Sequence, residues 1–173
     1  MNGGDYYDPF LLPETILFEN VPSQAYHLRI KLNNAPVPVW REVEVPSNAS
    51  LEFFAFVIIE AMGWGNEHLH QFMTKDAIYK NEACIRQDQE MFGSFGSRIT
   101  TLASDDYPIS AIFKEKDDLI LFEYDFGDSW YHDIWLKSIR EYQSDEMPGI
   151  KILKGKGACP PEDSGGVGGY PIY

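Results

Sequence analysis

Hydrophobic and polar side chains alternate most clearly over residues 119–136, LILFEYDFGDSWYHDIWL. The even-numbered positions on both sides of residues 127–129 are mostly apolar, and the odd-numbered positions become polar toward that turn. A period of two is typical of a β-strand with one buried face. A three-residue loop at 127–129 places Tyr124 opposite His132 and keeps the apolar faces of both strands together. The pattern predicts a β-hairpin, which we expect at the centre of a sheet.

The second face of this hairpin is acidic. In the predicted register Glu123 lies opposite Asp133, and Asp125 lies opposite Tyr131. Like charges that face each other across two strands are unfavourable. Either this face is well solvated, or a cation or basic side chain lies on it. It is therefore the first place to look for chemistry.

Two more strands precede the hairpin. Residues 26–32 alternate apolar side chains with basic ones, which is typical of a half-buried strand. Residues 33–36 are turn formers, and residues 37–45 return with valines on one parity. The two segments predict a pair of neighbouring strands.

The period changes after the second strand. Ser47, Asn48 or Ser50 can cap a helix over residues 51–62, and Gly63 is a typical helix end. The helix is apolar on almost every side. We therefore expect a central helix that packs on the sheet and is covered elsewhere by another part of the chain.

Residues 67–72 are a further strand candidate, whereas residues 74–104 are polar and irregular and predict a surface insertion. The elements predict one α+β domain at 24–173, with a mixed or mainly antiparallel sheet of about five strands packed on one central apolar helix. The order strand, strand, helix, strand is compatible with a β-grasp-like arrangement. Residues 1–23 contain scattered prolines, glycines and aromatics, which predict an extended N-terminal arm.

The domain ends in a proline- and glycine-rich loop at 157–170, GACPPEDSGGVGGY. Adjacent prolines and repeated glycines exclude regular structure. A flexible linker would carry serine or glycine in place of Cys159, Glu162 and Asp163. We interpret the segment as a rigid loop that presents two carboxylates and a thiol, with a disordered C-terminus as the alternative.

Composition narrows the classes of partner. The 173 residues include 44% hydrophobic side chains, enough for one independently folding domain. Fourteen basic and 27 acidic residues give a net charge of −13, which disfavours nucleic acid and favours a protein or small-molecule partner. No apolar run approaches the ~20 residues of a membrane span, and no leader pattern follows Met1. These features predict a cytoplasmic protein.

Histidines and carboxylates suggest a metal site. On a strand, His68 and His70 would project to the same side, a spacing that metal sites use. Asp125 and Asp128 supply carboxylates from the hairpin, and imidazole with carboxylate suits Zn²⁺ or another divalent transition metal. Two histidines on a strand are also commonly hydrogen-bonded without a metal.

His132 has two interpretations. It shares the parity of Trp130 on the core side of the hairpin, whereas Asp125 has the opposite parity. His132 is therefore either a buried, hydrogen-bonded residue or, if the turn is bulged, a metal ligand. A third possibility is nucleophilic catalysis by Cys159 with a histidine partner.

Four segments occur in the order and spacing of one family: PVWREVEVP at 38–46, MGWGNEHLHQF at 62–72, YDFGDSWYHDI at 124–134 and GACPPEDSGG at 157–166. Over residues 24–170 the chain resembles the plasmid pRiA-type ORF-three-like family, whose members are labelled insertion-element passenger or TnpR-type proteins. The resemblance implies an α+β domain in the setting of mobile elements and no established reaction.

Two functions therefore remain open. The first is a non-enzymatic binding or recognition module built from the hairpin and the C-terminal loop. The second is a metal-dependent hydrolase in which a spare carboxylate acts as general base on a metal-bound water. The candidate site residues are Asp125, Asp128, Trp130, His132, Cys159, Glu162 and Asp163, joined by His68 and His70 as metal ligands.

Overall fold

Eight β-strands form one sheet in the computed structural model, which describes residue 10 and residues 12–93 and 99–170. In chain order the strands are β1 (Ala25–Leu32), β2 (Trp40–Pro46), β3 (His70–Met73), β4 (Ala77–Lys80), β5 (Thr100–Ala103), β6 (Leu119–Tyr124), β7 (Trp130–Arg140) and β8 (Lys151–Lys156). Helix α1 (Leu51–Met62) connects β2 to β3, and helix α2 (Glu82–Phe92) connects β4 to β5.

The order of strands across the sheet is β5-β4-β3-β6-β7-β1-β2-β8. Neighbouring strands are antiparallel except for β4 and β5, which are parallel, so the sheet is mixed. The described part of the chain is mostly β, with two short α-helices. The predicted fold class, an α+β sheet of about five strands on a central helix with a β-grasp-like order, is therefore wrong.

The error has a physical cause. The predicted surface insertion at 74–104 contains β4, α2 and β5, and both strands are only four residues long. Such short strands show too little alternation to reveal a period. All six residues of β8 are exposed, so this edge strand has no buried face to mark it in the sequence.

The hairpin forms between β6 and β7, but its register differs from the prediction. Tyr124 lies opposite Trp130 rather than His132, and the loop has five residues, 125–129. Asp125 and Ser129 adopt positive φ angles of 60° and 55°. The shift is two residues, so the even-numbered side chains stay on the buried face.

The register also removes the predicted like-charge pair. Glu123 lies opposite Tyr131, and Asp133 lies opposite Leu121. Asp125 lies outside the pairing of β6 with β7 and belongs to the turn, where its carbonyl accepts a hydrogen bond from the Ser129 amide. The two predicted pairings of the second face, Glu123 with Asp133 and Asp125 with Tyr131, are therefore wrong, and the chemistry of Asp125 depends on the turn.

Helix α1 covers the face of the sheet that carries the even-numbered side chains of β6 and β7. The Ser50 side chain accepts a hydrogen bond from the Phe53 amide (3.0 Å), and Gly63 ends the helix with a φ of 88°. Phe54 stacks on Phe72 of β3 with ring centroids 5.8 Å apart. Both side chains are fully buried, so the core lies between α1 and this face.

The described part of the N-terminal arm runs beside the start of α1. Leu17 forms an isolated bridge with Ala49, and the Ser50 amide donates a hydrogen bond to the Ile16 carbonyl (2.8 Å). The rest of the predicted arm, residues 1–9 and 11, lies outside the described residues. Among the described helices none has the length and hydropathy needed to span a bilayer.

Candidate metal centre

His68 lies among three carboxylates from two other parts of the chain. Its Nε2 atom is 2.9 Å from Asp163 Oδ1, 3.6 Å from Asp125 Oδ2 and 3.7 Å from Glu162 Oε2. One ligand atom each from His68, Asp125 and Asp163 can be chosen so that all lie within 4.8 Å of one another. We call these four residues the His68 cluster.

Two polar atoms in the His68 cluster are buried without a hydrogen bond. His68 Nε2 and Glu162 Oε2 are shielded from solvent, and neither has a partner of acceptable geometry among the described residues. Asp163 Oδ1 thus approaches His68 Nε2 closely without the alignment of a hydrogen bond. Buried polar atoms nearly always have a hydrogen-bond partner. Because these two atoms are only 3.7 Å apart, one bound group could satisfy both of them.

The hairpin turn positions Asp125. Its side chain is only 8% exposed, and its Oδ1 atom accepts hydrogen bonds from the amides of Gly127 (3.0 Å) and Asp128 (3.2 Å). Aspartate suits this turn because a short carboxylate bonds the backbone two and three residues ahead and tolerates positive φ. The turn occupies Oδ1 and leaves Oδ2 directed toward His68.

The C-terminal loop positions Glu162. Glu162 Oε1 accepts hydrogen bonds from the Tyr124 hydroxyl (2.8 Å) and the Gly65 amide (2.9 Å). Burial and the bond to Glu162 raise the pKa of Tyr124 well above its usual value, so the hydroxyl remains a proton donor. Trp64 Nε1 also donates to the Pro160 carbonyl (2.9 Å). These bonds fix the loop and leave Glu162 Oε2 free.

One family model matches most of the chain. Residues 24–173 match the family model described as plasmid pRiA4b ORF-3-like protein. The chain belongs to this family. It is 31% identical over 146 residues to the uncharacterized protein y4hQ of Sinorhizobium fredii (strain NBRC 101917 / NGR234), an alignment that covers 84% of this chain and 69% of that protein.

A solved structure supports the fold of this family member. The crystal structure of a protein of unknown function, MM3350 from Methanosarcina mazei Go1, is similar with a TM-score of 0.69 and 26% sequence identity. The match covers 87% of this chain and 79% of that chain. The predicted family resemblance is confirmed, and the comparisons establish the family and the fold without naming a reaction.

His70, a predicted metal ligand, lies apart from His68. Strand β3 begins at His70, so His68 precedes the strand and the alternation of side chains does not bring the two rings together. His70 Nε2 instead lies 2.8 Å from Glu52 Oε1 in the core. Asp128 is also outside the His68 cluster, and its Oδ2 atom accepts a hydrogen bond from the Gly165 amide (3.0 Å).

His132 and Trp130 belong to the core. Both are fully buried, and His132 packs edge-on against Trp64 with centroids 5.4 Å apart. His132 Nδ1 is 3.4 Å from the Phe122 carbonyl, and Nε2 has no hydrogen-bond partner among the described residues. Burial lowers the pKa of His132 to about 4, so the ring is neutral in the folded protein.

The thiol of Cys159 contacts the end of α1 and is not part of the His68 cluster. Its Sγ atom is 3.2 Å from Met62 Sδ at the end of α1, and burial raises its pKa to about 11. Because the thiolate is the nucleophile, this environment disfavours the nucleophilic role considered for Cys159.

Sequence reasoning missed Tyr124, Trp64 and Gly65, which hold the loop against the hairpin. Tyr124 has the core parity of the hairpin, and Trp64 and Gly65 follow the helix end, so nothing in their local pattern indicated contact with a distant loop.

Proposed function

We propose that this protein binds a divalent transition-metal ion in the His68 cluster, with His68, Asp125 and Asp163 as ligands. The observation that carries the proposal is the buried, unpaired Nε2 atom of His68, which lies within 3.7 Å of three carboxylates. A neutral imidazole with carboxylate oxygens suits Zn²⁺ and related ions.

Electrostatics also favours a cation at this position. Three carboxylates converge on one imidazole, so even a protonated His68 would leave an excess of negative charge. The whole chain carries a net charge of −13, which adds to the negative electrostatic potential at the His68 cluster. A divalent ion relieves the repulsion between partly buried carboxylates, which is strongest where water is excluded.

The ion would join three separate segments: the residues before β3, the hairpin turn and the C-terminal loop. Asp163 is 68% exposed, so the site lies at the surface and a partner can supply a further ligand. The function that we propose is therefore a metal-organised binding or recognition module.

A metal-dependent hydrolase is the second candidate function, and the unpaired carboxylate oxygen of Glu162 favours it. Its free Oε2 atom lies beside the proposed ligands, where it can accept a proton from a metal-bound water. Hydrolysis of phosphoesters or amides by the metal-loaded protein, lost in Glu162→Gln while the metal content is unchanged, would favour this candidate over the recognition module.

The first prediction concerns metal content. Protein purified without a histidine tag is expected to take up about one Zn²⁺ per chain, and His68→Ala is expected to weaken Zn²⁺ binding by at least about 100-fold. This loss should exceed the ~10–100-fold effect of removing a group that only orients a ligand. Elemental analysis and competition with a chromophoric chelator measure both quantities.

His27→Ala is the matched control for this experiment. His27 is a half-exposed imidazole on β1 that lies 2.7 Å from Glu42, away from the His68 cluster. Its replacement should leave Zn²⁺ binding unchanged. Equal affinities of the two variants, or no Zn²⁺ uptake by the wild-type protein, would exclude the proposed site.

The second prediction concerns the loop backbone. Gly166 has a φ of 70°, and a Cβ atom there would lie 2.6 Å from the Asp128 carbonyl oxygen. Gly166→Ala is expected to push the loop from the hairpin, to lower the free energy of unfolding by about 1–3 kcal/mol and to weaken Zn²⁺ binding by about tenfold. Chemical denaturation and chelator competition are the measurements.

Gly149→Ala is the control for the loop variant. A Cβ atom at Gly149 meets no atom within 4 Å, so this change should alter stability by no more than about 0.5 kcal/mol. If Gly166→Ala binds Zn²⁺ as tightly as Gly149→Ala, the loop does not contribute to the metal site.

A further inference from the structure

A second candidate site lies on the opposite side of the sheet from α1. A cavity of about 830 Å³ is found where β1, β2 and β7 meet the connection between β1 and β2. The side chains that define it are Arg29, Lys31, Trp40, Trp135 and Lys137, with residues 34–38 at one edge. We call it the Trp40–Trp135 cavity.

The Trp40–Trp135 cavity is locally basic in an acidic protein. Lys31 and Lys137 are exposed and form no ion pair with any residue that the structure describes. Asp133, the register partner of Lys31, accepts a hydrogen bond from Asn33 (2.9 Å) instead. Asp117 is the carboxylate in the lining and lies 3.9 Å from the Lys116 ammonium. Two ammonium groups are therefore available to an anion.

The cavity also offers aromatic surface. Trp40 and Trp135 are both half-buried, and both line the cavity. The Arg29 guanidinium lies 4.1 Å from the centre of the Trp40 ring, and its Nη1 atom is 3.5 Å from Glu42 Oε1. Arg29 thus orders Trp40, while Trp135 is opposite Arg29 in the neighbouring strand.

We propose that the Trp40–Trp135 cavity binds an anionic ligand with a planar ring, of the mononucleotide class. An indole ring stacks on a nucleobase, and lysine ammonium groups bind phosphate as mobile point charges. The volume falls within the ~300–1,000 Å³ of small-molecule sites. None of the residues of this cavity belongs to the His68 cluster, so the proposal is independent of metal binding.

The test uses the full chain and adenosine monophosphate as the probe. Tryptophan fluorescence is expected to change saturably on titration, and Lys31→Ala/Lys137→Ala is expected to weaken binding at least about tenfold, because both charge-assisted contacts are removed. Adenosine and inorganic phosphate, titrated separately, should each bind more weakly than the nucleotide. Circular dichroism verifies that each variant is folded.

Lys75→Ala/Lys114→Ala is the control with the same change in net charge. Both lysines are exposed and lie outside the Trp40–Trp135 cavity. An equal loss of affinity in the two double variants would show a non-specific charge effect and overturn the proposal. Absence of saturable binding at millimolar adenosine monophosphate would also overturn it, even if a short oligodeoxythymidine binds to the protein.

Discussion

Glu52→Ala is expected to lower the free energy of unfolding by about 3–5 kcal/mol, because it leaves the buried His70 ring and the Ser104 hydroxyl without their hydrogen-bond partner. Glu52 and His70 side chains are each only 2% exposed, and Glu52 Oε1 lies 2.8 Å from His70 Nε2. The second carboxylate oxygen accepts a hydrogen bond from the Ser104 hydroxyl. Glu52 therefore connects α1 to β3 and to the 3₁₀ turn after β5.

The protonation of Glu52 supports this expectation. Burial alone would raise the pKa of its carboxyl, but the charge of His70 and hydrogen bonds from His70, Ser104 and Asn81 outweigh it and hold the pKa below the usual 4.5. The carboxylate is then fully ionised at neutral pH. Its stabilising contribution is present above pH 4.5 and is lost as the pH falls through the lower folded-state pKa.

Chemical denaturation of three variants tests the role of Glu52. Glu60 is an exposed residue of the same helix, so Glu60→Ala should change the free energy of unfolding by no more than about 0.5 kcal/mol. The double variant Glu52→Ala/His70→Ala should lose less stability than the sum of the single variants, because the two side chains interact directly. A Glu52→Ala variant as stable as Glu60→Ala would show that the pair is unimportant.

The second large effect is a loss of stability in mild acid caused by His132. The folded protein holds the pKa of His132 at about 4, whereas the ordinary value is 6.5. Between these values the unfolded chain binds a proton that the folded protein excludes. The contribution of neutral His132 to the free energy of unfolding is therefore fully present above pH 6.5. It is lost as the pH decreases toward 4, by about 3 kcal/mol in total.

His132→Phe removes the titrating ring while retaining an aromatic side chain in the cluster around Trp64. The free energy of unfolding of this variant should depend less on pH than that of the wild-type protein between pH 6.5 and 4.5, a window above the titration of Glu52. Leu119→Phe adds an aromatic ring at an exposed position of β6 without removing a titrating group, so this variant should retain the wild-type dependence. Parallel pH profiles for wild type and His132→Phe would contradict the prediction.

Local signals in the sequence predicted some elements well. The helix at 51–62 has the predicted bounds and ends at Gly63, because capping depends on neighbouring residues, and its cap is Ser50, one of the three candidates. The core parity of β6 and β7 was also correct, since alternation directly marks a buried face. The predicted register of the hairpin was wrong, because the length of the turn depends on the conformation of Asp125, which the alternation does not reveal.

The candidate site shows the same division. Residue types alone predicted His68, Asp125, Glu162 and Asp163 as site residues, because imidazole and carboxylate groups are common metal ligands. They also predicted His70 as a metal ligand, but in the structure His70 lies in the core against Glu52. The difference between the two histidines arises where β3 begins, and the spacing in the chain does not reveal that point.

The sequence by itself determined the family, through four short motifs and their spacing. It also determined the helix α1 and the buried faces of the longer strands, since these rest on caps and periods within a few neighbouring residues. The tertiary structure decided the eight-stranded order, the hairpin register and the membership of the His68 cluster. These depend on contacts between segments far apart in the chain, such as Tyr124 with Glu162. The energies of such contacts are set by packing and burial, which no local pattern records.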